Sequence, residues 1–245
     1  MAKGRLGAFV PPEHGAWAML LVPFLLGTLT AEPDWLSVVL LVAWLSAYGT
    51  TFFALRWYRT RHLRHRGRRF RTPALTYGTL LAVSGAVVAW QQPWVLAAVW
   101  FFVPFESVSA WYALRGDERS WVAGLSSATA ASLMAPVAYR VADGEQGWVA
   151  AVLFVVCWLA FCGSVLHVKS TIRERDDPRY RTASIAFHAV AALIAGALDP
   201  WLLVPFGFLL GRAVLVPQHG WRPARIGAVE IVGSLLVLVV TLLVV

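Results

Sequence analysis

Twenty-two consecutive residues, from Gly147 to Val168, pass without one Asp, Glu, Lys or Arg. A bilayer-crossing helix needs about 20 mostly apolar residues, and this run meets that length. The rest of the 245-residue chain is similar in kind: 59% of its residues are hydrophobic and 14% charged. An ordinary soluble domain has about 45–50% and about 25%. Thirteen tryptophans and thirteen phenylalanines add to an apolar surface that a soluble fold of this size cannot hide. The same excess excludes a disordered chain and a small disulfide-stapled domain. Cys157 and Cys162 lie five apart inside the long run and read as small packing residues, not as a metal pair. The fold class expected is all-α, a polytopic membrane protein forming one integral membrane domain.

Nine spans are expected, over 14–31, 35–56, 73–90, 93–114, 120–142, 147–168, 182–199, 201–217 and 226–245. Breaker or charged residues mark the joints, as in Glu32-Pro33-Asp34, Gln91-Gln92-Pro93, Asp143-Gly144-Glu145 and Asp199-Pro200. Nine alternating spans put all 21 lysines and arginines except Arg140 on one side. The other side carries Glu32, Asp34, Asp143, Glu145 and Asp199. The positive-inside rule then predicts a cytoplasmic-membrane protein with its N-terminus in the cytoplasm and its C-terminus outside. The sixth span runs on into a charged stretch, Lys169 to Arg175, which is expected to project past the membrane. Lys3, Arg5 and the apolar run after them imitate a signal peptide, but Glu13 and His14 before that run do not suit one. The segment is read as a helix.

Residues 56–71 hold eight arginines and two histidines, and no acidic residue occurs between Trp35 and Phe105. Such a cluster attracts anionic lipid headgroups at about 1 kcal/mol per charge. It reads as a topogenic loop touching headgroups, with a specific anion site as the alternative. Nucleic acid is not an expected partner, because no folded reading module surrounds the loop.

Ionisable residues inside spans are costly and point to function. Glu13, His14, Glu106, His167 and His188 are candidates for acid/base work. Trp17, Arg56, Lys169, Arg173, Arg212, His219 and Glu230 are candidates for ligand binding. A rise of about 1.5 Å per residue puts the ionisable ones in the cytoplasmic half of the spans or just beyond it. If they face inward, they line one cavity open to the cytoplasm. Ser164, His167, Thr171 and Glu174 are spaced to share a face, as are Ser184 with His188 and Glu106 with Ser109. Each also has a structural reading: Glu106 as a protonated tie between helices, Arg212 reaching for the interface. Gly124, Ala128 and Ser132 repeat every four residues and predict close helix packing, with a kink at Pro136. Metal constellations, nucleophile elbows and glycine-rich phosphate loops are missing from the sequence, so no cofactor is evident.

The opening stretch Pro12-Glu13-His14-Gly15-Ala16-Trp17-Ala18-Met19-Leu20, continuing to Pro23-Phe24-Leu25-Leu26-Gly27, resembles the signature of the YwiC-like family of bacterial membrane proteins. Pro217-Gln218-His219-Gly220-Trp221-Arg222-Pro223 and Ile226-Gly227-Ala228-Val229-Glu230 fit the same family. In architecture the chain is similar to the UbiA superfamily of intramembrane prenyltransferases: nine helices in a bundle, with long cytoplasmic loops between spans 2 and 3 and spans 6 and 7. In that superfamily Asp-rich motifs in those loops hold Mg²⁺ against an isoprenyl diphosphate. Here no two carboxylates follow Asp-x-x-x-Asp, so Mg²⁺ is not expected. Arg56, Lys169, Arg173 and Arg212 offer direct anion recognition instead. The readings kept open are an atypical transferase or binding protein for an anionic lipid or isoprenoid, a small-solute permease, and a non-catalytic membrane partner protein.

Overall fold

The structure is a computed structural model that describes residues 9–11, 14–61, 64–216 and 221–245, without the side chains of residue 14 and residues 64–68. The described residues form helices and turns and no strand: α1 (His14–Leu29), α2 (Trp35–Thr60), α3 (Arg64–Gln91), α4 (Val95–Leu114), α5 (Trp121–Ser132), α6 (Met134–Val141), α7 (Gly147–Val168), a π-helical turn (Lys169–Arg173), α8 (Pro178–Leu198), a 3₁₀ turn (Pro200–Leu202), α9 (Leu203–Leu215) and α10 (Pro223–Val244). Taking α5 with α6 and α7 with its π-helical turn, seven are long and apolar enough to cross a membrane. The stretches Gly15–Leu29 and Pro200–Leu215 are apolar but shorter.

Local chemistry sets the boundaries. Asp34 and Ser37 form a reciprocal capping box at the start of α2, with Ser37 N donating to Asp34 Oδ1 at 3.0 Å. Ser120 caps α5 by accepting from Ala123 N at 3.1 Å, and Asp177 caps α8 just before Pro178. The fifth span is broken after Ser132 by Pro136, whose ring cannot tolerate the carbonyl four residues earlier. The kink expected there is present.

Two expectations change. Residues 64–71 are helical, the first two turns of α3, rather than part of a loop. The stretch after α7 does not project outward. It tightens into the π-helical turn, with Lys169, Ser170 and Thr171 buried. Ser170 Oγ and Thr171 Oγ1 both donate to the His167 carbonyl, at 2.9 and 2.7 Å. The extra residue in that turn shifts the helical register, so the face shared by Ser164 and His167 does not run on to Thr171 and Glu174.

α7 is the central helix, with ten buried residues. One of its faces packs with α1, α5 and α6 around Leu26, Ala128, Ala135 and Leu153. The other packs with α8, α9 and α10 around Val156, Ala195, Leu202 and Phe206. A third core joins α1, α2, α3 and α6 around Phe24, Leu40, Val88 and Ala138. α2 and α3 pair antiparallel: Phe53 stacks on Tyr77 at 5.8 Å, and Leu40 meets Val88 farther along. α4 is peripheral and has no buried residue.

Chain segments distant in sequence meet at two ends of the bundle. At one end Arg59 bonds Glu118, and Arg173 Nη1 donates to the Arg119 carbonyl at 3.0 Å. At the other, Glu32 N donates to the Ala142 carbonyl at 3.1 Å.

Glycines make the close crossings. A Cβ on Gly27 would lie 2.1 Å from the Ala135 carbonyl oxygen, and one on Gly124 2.7 Å from Val165 Cγ1. Gly27→Ala is therefore expected to lower the unfolding midpoint in mild detergent, because backbone cannot yield; overpacking of this kind costs about 1–3 kcal/mol. Gly207→Ala, in an exposed position with nothing within 4 Å, should leave the midpoint unchanged or raise it.

Candidate functional site

The polar residues of the spans fall into two groups, not one cavity. The first group lines a cavity of about 990 Å³ between α2, α3, α4 and α5, with α1 and α6 closing its inner side. α2 contributes Trp44, Tyr48, Thr51, Phe52 and Arg56, spaced so that they share one face of the helix. α3 contributes small residues, Ala82, Gly85, Ala86 and Ala89. α4 contributes Leu96, Val99, Phe102, Val103, Glu106 and Ser109. Trp44 Nε1 donates to the Leu20 carbonyl at 3.0 Å, tying the inner wall to α1. Ser109 Oγ lies 3.1 Å from Ser127 Oγ, so α4 is pinned to α5 at this level. Leu96, Val99 and Val103 line the cavity and are also exposed, which leaves it open along the seam between α3 and α4.

At one end of the cavity the Arg56 guanidinium lies 3.8 Å over the Phe52 ring and 4.0 Å from Glu118, which Arg59 also bonds. The Glu106 carboxyl is in the wall. Trp17 is not in the wall; its ring sits edge-on to Tyr48 at 6.3 Å, behind the lining.

The second group lies between α7, α8, α9 and α10. Arg212 bonds Glu230 through Nη1, and its Nη2 donates to Ser164 Oγ at 3.1 Å. His167 Nε2 is 3.7 Å from Glu230 Oε1, and the His167 and His188 rings meet edge-on at 6.4 Å. His188 Nδ1 donates to the Ser184 carbonyl at 2.7 Å. A carbonyl only accepts, so the proton is on Nδ1. Gly163 makes room for this ring, since a Cβ there would be 2.9 Å from His188 Nε2. His167, His188 and Arg212 are all buried. Lys169 and Arg173 belong to neither group. Lys169 Nζ faces Glu174 at 3.9 Å and the Tyr180 ring at 5.6 Å, while Arg173 holds the Arg119 carbonyl. Glu13, the His14 side chain and His219 lie outside the described residues.

A family model described as YwiC-like protein matches residues 10–139. The chain is 31% identical over 224 residues to a Haemophilus influenzae protein named "Uncharacterized protein", covering 89% of this chain and 90% of that one. It belongs to the YwiC-like family. A second relative, "Uncharacterized protein YwiC" of Bacillus subtilis, is 25% identical over 232 residues, 93% of this chain and 94% of that protein. No solved structure matches the chain.

In this YwiC-like chain every residue of the cavity wall falls within the matched stretch, from Ala16 to Val137. Glu118 and the aromatic face of α2 escaped the sequence reading. Trp44, Tyr48, Thr51 and Phe52 do recur at helical spacing, but in a membrane helix that pattern reads as ordinary packing. Among the described residues no three His, Cys, Asp or Glu side chains come together in a way that holds a metal.

The Arg212–Glu230 pair is a tie between α9 and α10, with Ser164 anchoring it to α7. Arg212→Met leaves the Glu230 carboxylate without its counter-charge, and breaking a buried pair this way costs about 3–5 kcal/mol. The double variant Arg212→Met/Glu230→Leu should be more stable than Arg212→Met alone. Thermal unfolding of the three proteins in one detergent is the check; a double variant as unstable as the sum of its singles would mean that the pair carries no tie.

Proposed function

We propose that this protein binds an amphiphile with a long apolar body, of the lipid or isoprenoid kind, inside the bilayer. One observation carries the reading: the cavity of about 990 Å³ between α2, α3, α4 and α5. That volume is at the upper end of the roughly 300–1,000 Å³ of small-molecule sites, and such sites combine apolar walls with a few polar groups. The seam between α3 and α4 supports entry from the lipid phase, since its exposed rim is apolar. A water-soluble solute would have to cross that rim, which disfavours a permease.

The proposal sets this site in a nine-span protein of the cytoplasmic membrane, its N-terminus in the cytoplasm and its C-terminus outside. The two shorter helices, α1 and α9, complete the count, in a bundle arranged like the UbiA superfamily. Charge supports the orientation: Arg59, Arg173 and the Arg119 backbone meet at one end of the bundle, while the end marked by Glu32 and Ala142 is poor in basic residues. Reporter fusions after Arg115 and after Asp143 should read cytoplasmic and external respectively, and the reverse pattern overturns the orientation.

A transferase acting on the bound chain is the second reading. The position of Glu106 in the cavity wall favours it, because a carboxyl there is within reach of a ligand as an acid or base. Arg56 at the end of the same cavity favours an anionic group on that substrate.

The binding reading is tested by filling the cavity. A Cβ on Gly85 meets only Leu81 Cδ1, at 4.0 Å, so Gly85→Trp projects an indole into open space. Protein extracted in mild detergent should retain a stoichiometric amphiphile detectable by mass spectrometry, and Gly85→Trp should lose it while melting at or above the wild-type temperature. Wild-type protein that carries no more lipid than its detergent shell holds nonspecifically would sink the reading.

A further inference from the structure

We infer that the cavity selects an amphiphile with a cationic nitrogen, and that Glu106 is the residue that recognises it. The inference rests on the amphiphile reading and adds the chemistry of the polar group. Glu106 lines the cavity and is partly buried. Its carboxyl has no hydrogen bond or ion pair with a described residue. A carboxylate in a membrane interior is costly unless a counter-charge meets it. The other charged groups at the cavity are already engaged: Glu118 with Arg59, and Arg56 with Glu118 and the face of Phe52. Glu106 is the charged side chain left facing open space.

The surroundings suit a cation. Phe102 lies one turn before Glu106 on the same face of α4, and both line the cavity. Trp44 contacts Phe102 edge-to-face at 5.9 Å, and Tyr48 and Phe52 continue the aromatic wall along α2. Aromatic faces attract a cation within about 6 Å of their centroids, and most strongly where water is excluded. Arg56 over Phe52 is an instance from this same wall. An anionic head, by contrast, would be brought against both Glu106 and Glu118. The ligand class that satisfies walls and carboxylate together is a lipophilic amine or quaternary ammonium whose chain lies in the groove formed by Ala82, Gly85, Ala86 and Ala89.

The experiment places the full chain in nanodiscs and measures its unfolding midpoint with three probes of one chain length at matched mole fractions: hexadecyltrimethylammonium, hexadecanol and hexadecyl phosphate. The expected result is a clear rise with the ammonium, a small rise with the alcohol and none with the phosphate. Glu106→Gln should weaken the apparent ammonium affinity by about tenfold, the equivalent of one desolvated charge contact. The response of that variant to hexadecanol should be unchanged, which also shows that it is folded. Glu106→Asp should recover part of the ammonium response. Equal responses to all three heads, or an ammonium response untouched by Glu106→Gln, overturn the inference and leave the amphiphile reading standing. If no probe shifts the wild type, or if Gly85→Trp responds as the wild type does, the cavity is not the site and both readings fall.

Discussion

Helices in a bilayer gain little from exchanging lipid contacts for contacts with one another, because acyl chains are as apolar as leucine. Association must come from close backbone approach and from polar groups that find no partner in lipid. This chain uses both around α7. Gly124 lets Val165 seat against α5, Gly163 lets the His188 ring seat against α7, and Gly27 brings α1 onto the backbone of α6. Across the other face, Ser164, Arg212 and Glu230 join α7, α9 and α10 in one set of hydrogen bonds. The two devices surround the helix with the most buried residues, so the C-terminal half and the α1–α5–α6 layer behave as one packed block.

That block explains where the empty space is. The α2–α3 hairpin attaches to it through the core around Phe24, Leu40 and Met134, and α4 attaches through Ser109 and Ser127. Between hairpin and α4 there is no comparable tie at mid-depth. α3 offers only alanines and glycine there, and α4 has no buried residue along its length. A soluble protein would collapse such a gap, since the hydrophobic effect acts on any exposed apolar wall. In lipid that drive is missing, and a gap lined by Leu96 and Val99 persists until a molecule of lipid character fills it.

Helices and their ends were legible in the sequence because the physics that sets them is local. Apolar length, Asp34 with Ser37, Ser120, Asp177-Pro178 and Pro136 each act within one turn, and the expected boundaries agree with the observed ones to within a few residues except at α3. There the dense arginines of 64–71 read as a loop, although arginine is a good helix former and nothing in that stretch breaks a helix. Partnership was not legible. Arg212 and Glu230 are eighteen residues apart, and only the crossing of α9 and α10 pairs them. Nor does the pattern of polar residues along each span say which neighbour it faces, so His167 and Glu106 looked like members of one cavity. The π-helical turn after His167 added to that error, because it moves Thr171 and Lys169 off the face that the helical spacing assigned them.

The same arithmetic separates the two acidic residues of the spans by role. Both are expensive in a medium of low dielectric, and the expense is tolerated only where something offsets it. For Glu230 the offset is internal: Arg212 bonds it, and the residues around it are packed without room for a guest. Its chemistry is spent on holding helices together. For Glu106 no offset comes from the described chain, and its carboxyl opens on the largest space in the fold. Evolution has no packing reason to keep a charge-bearing side chain where leucine would fit better among Phe102, Val103 and Ala110. The unpaired carboxyl is therefore the place where the structure is incomplete without its ligand, and the sign of its charge fixes what that ligand must bring.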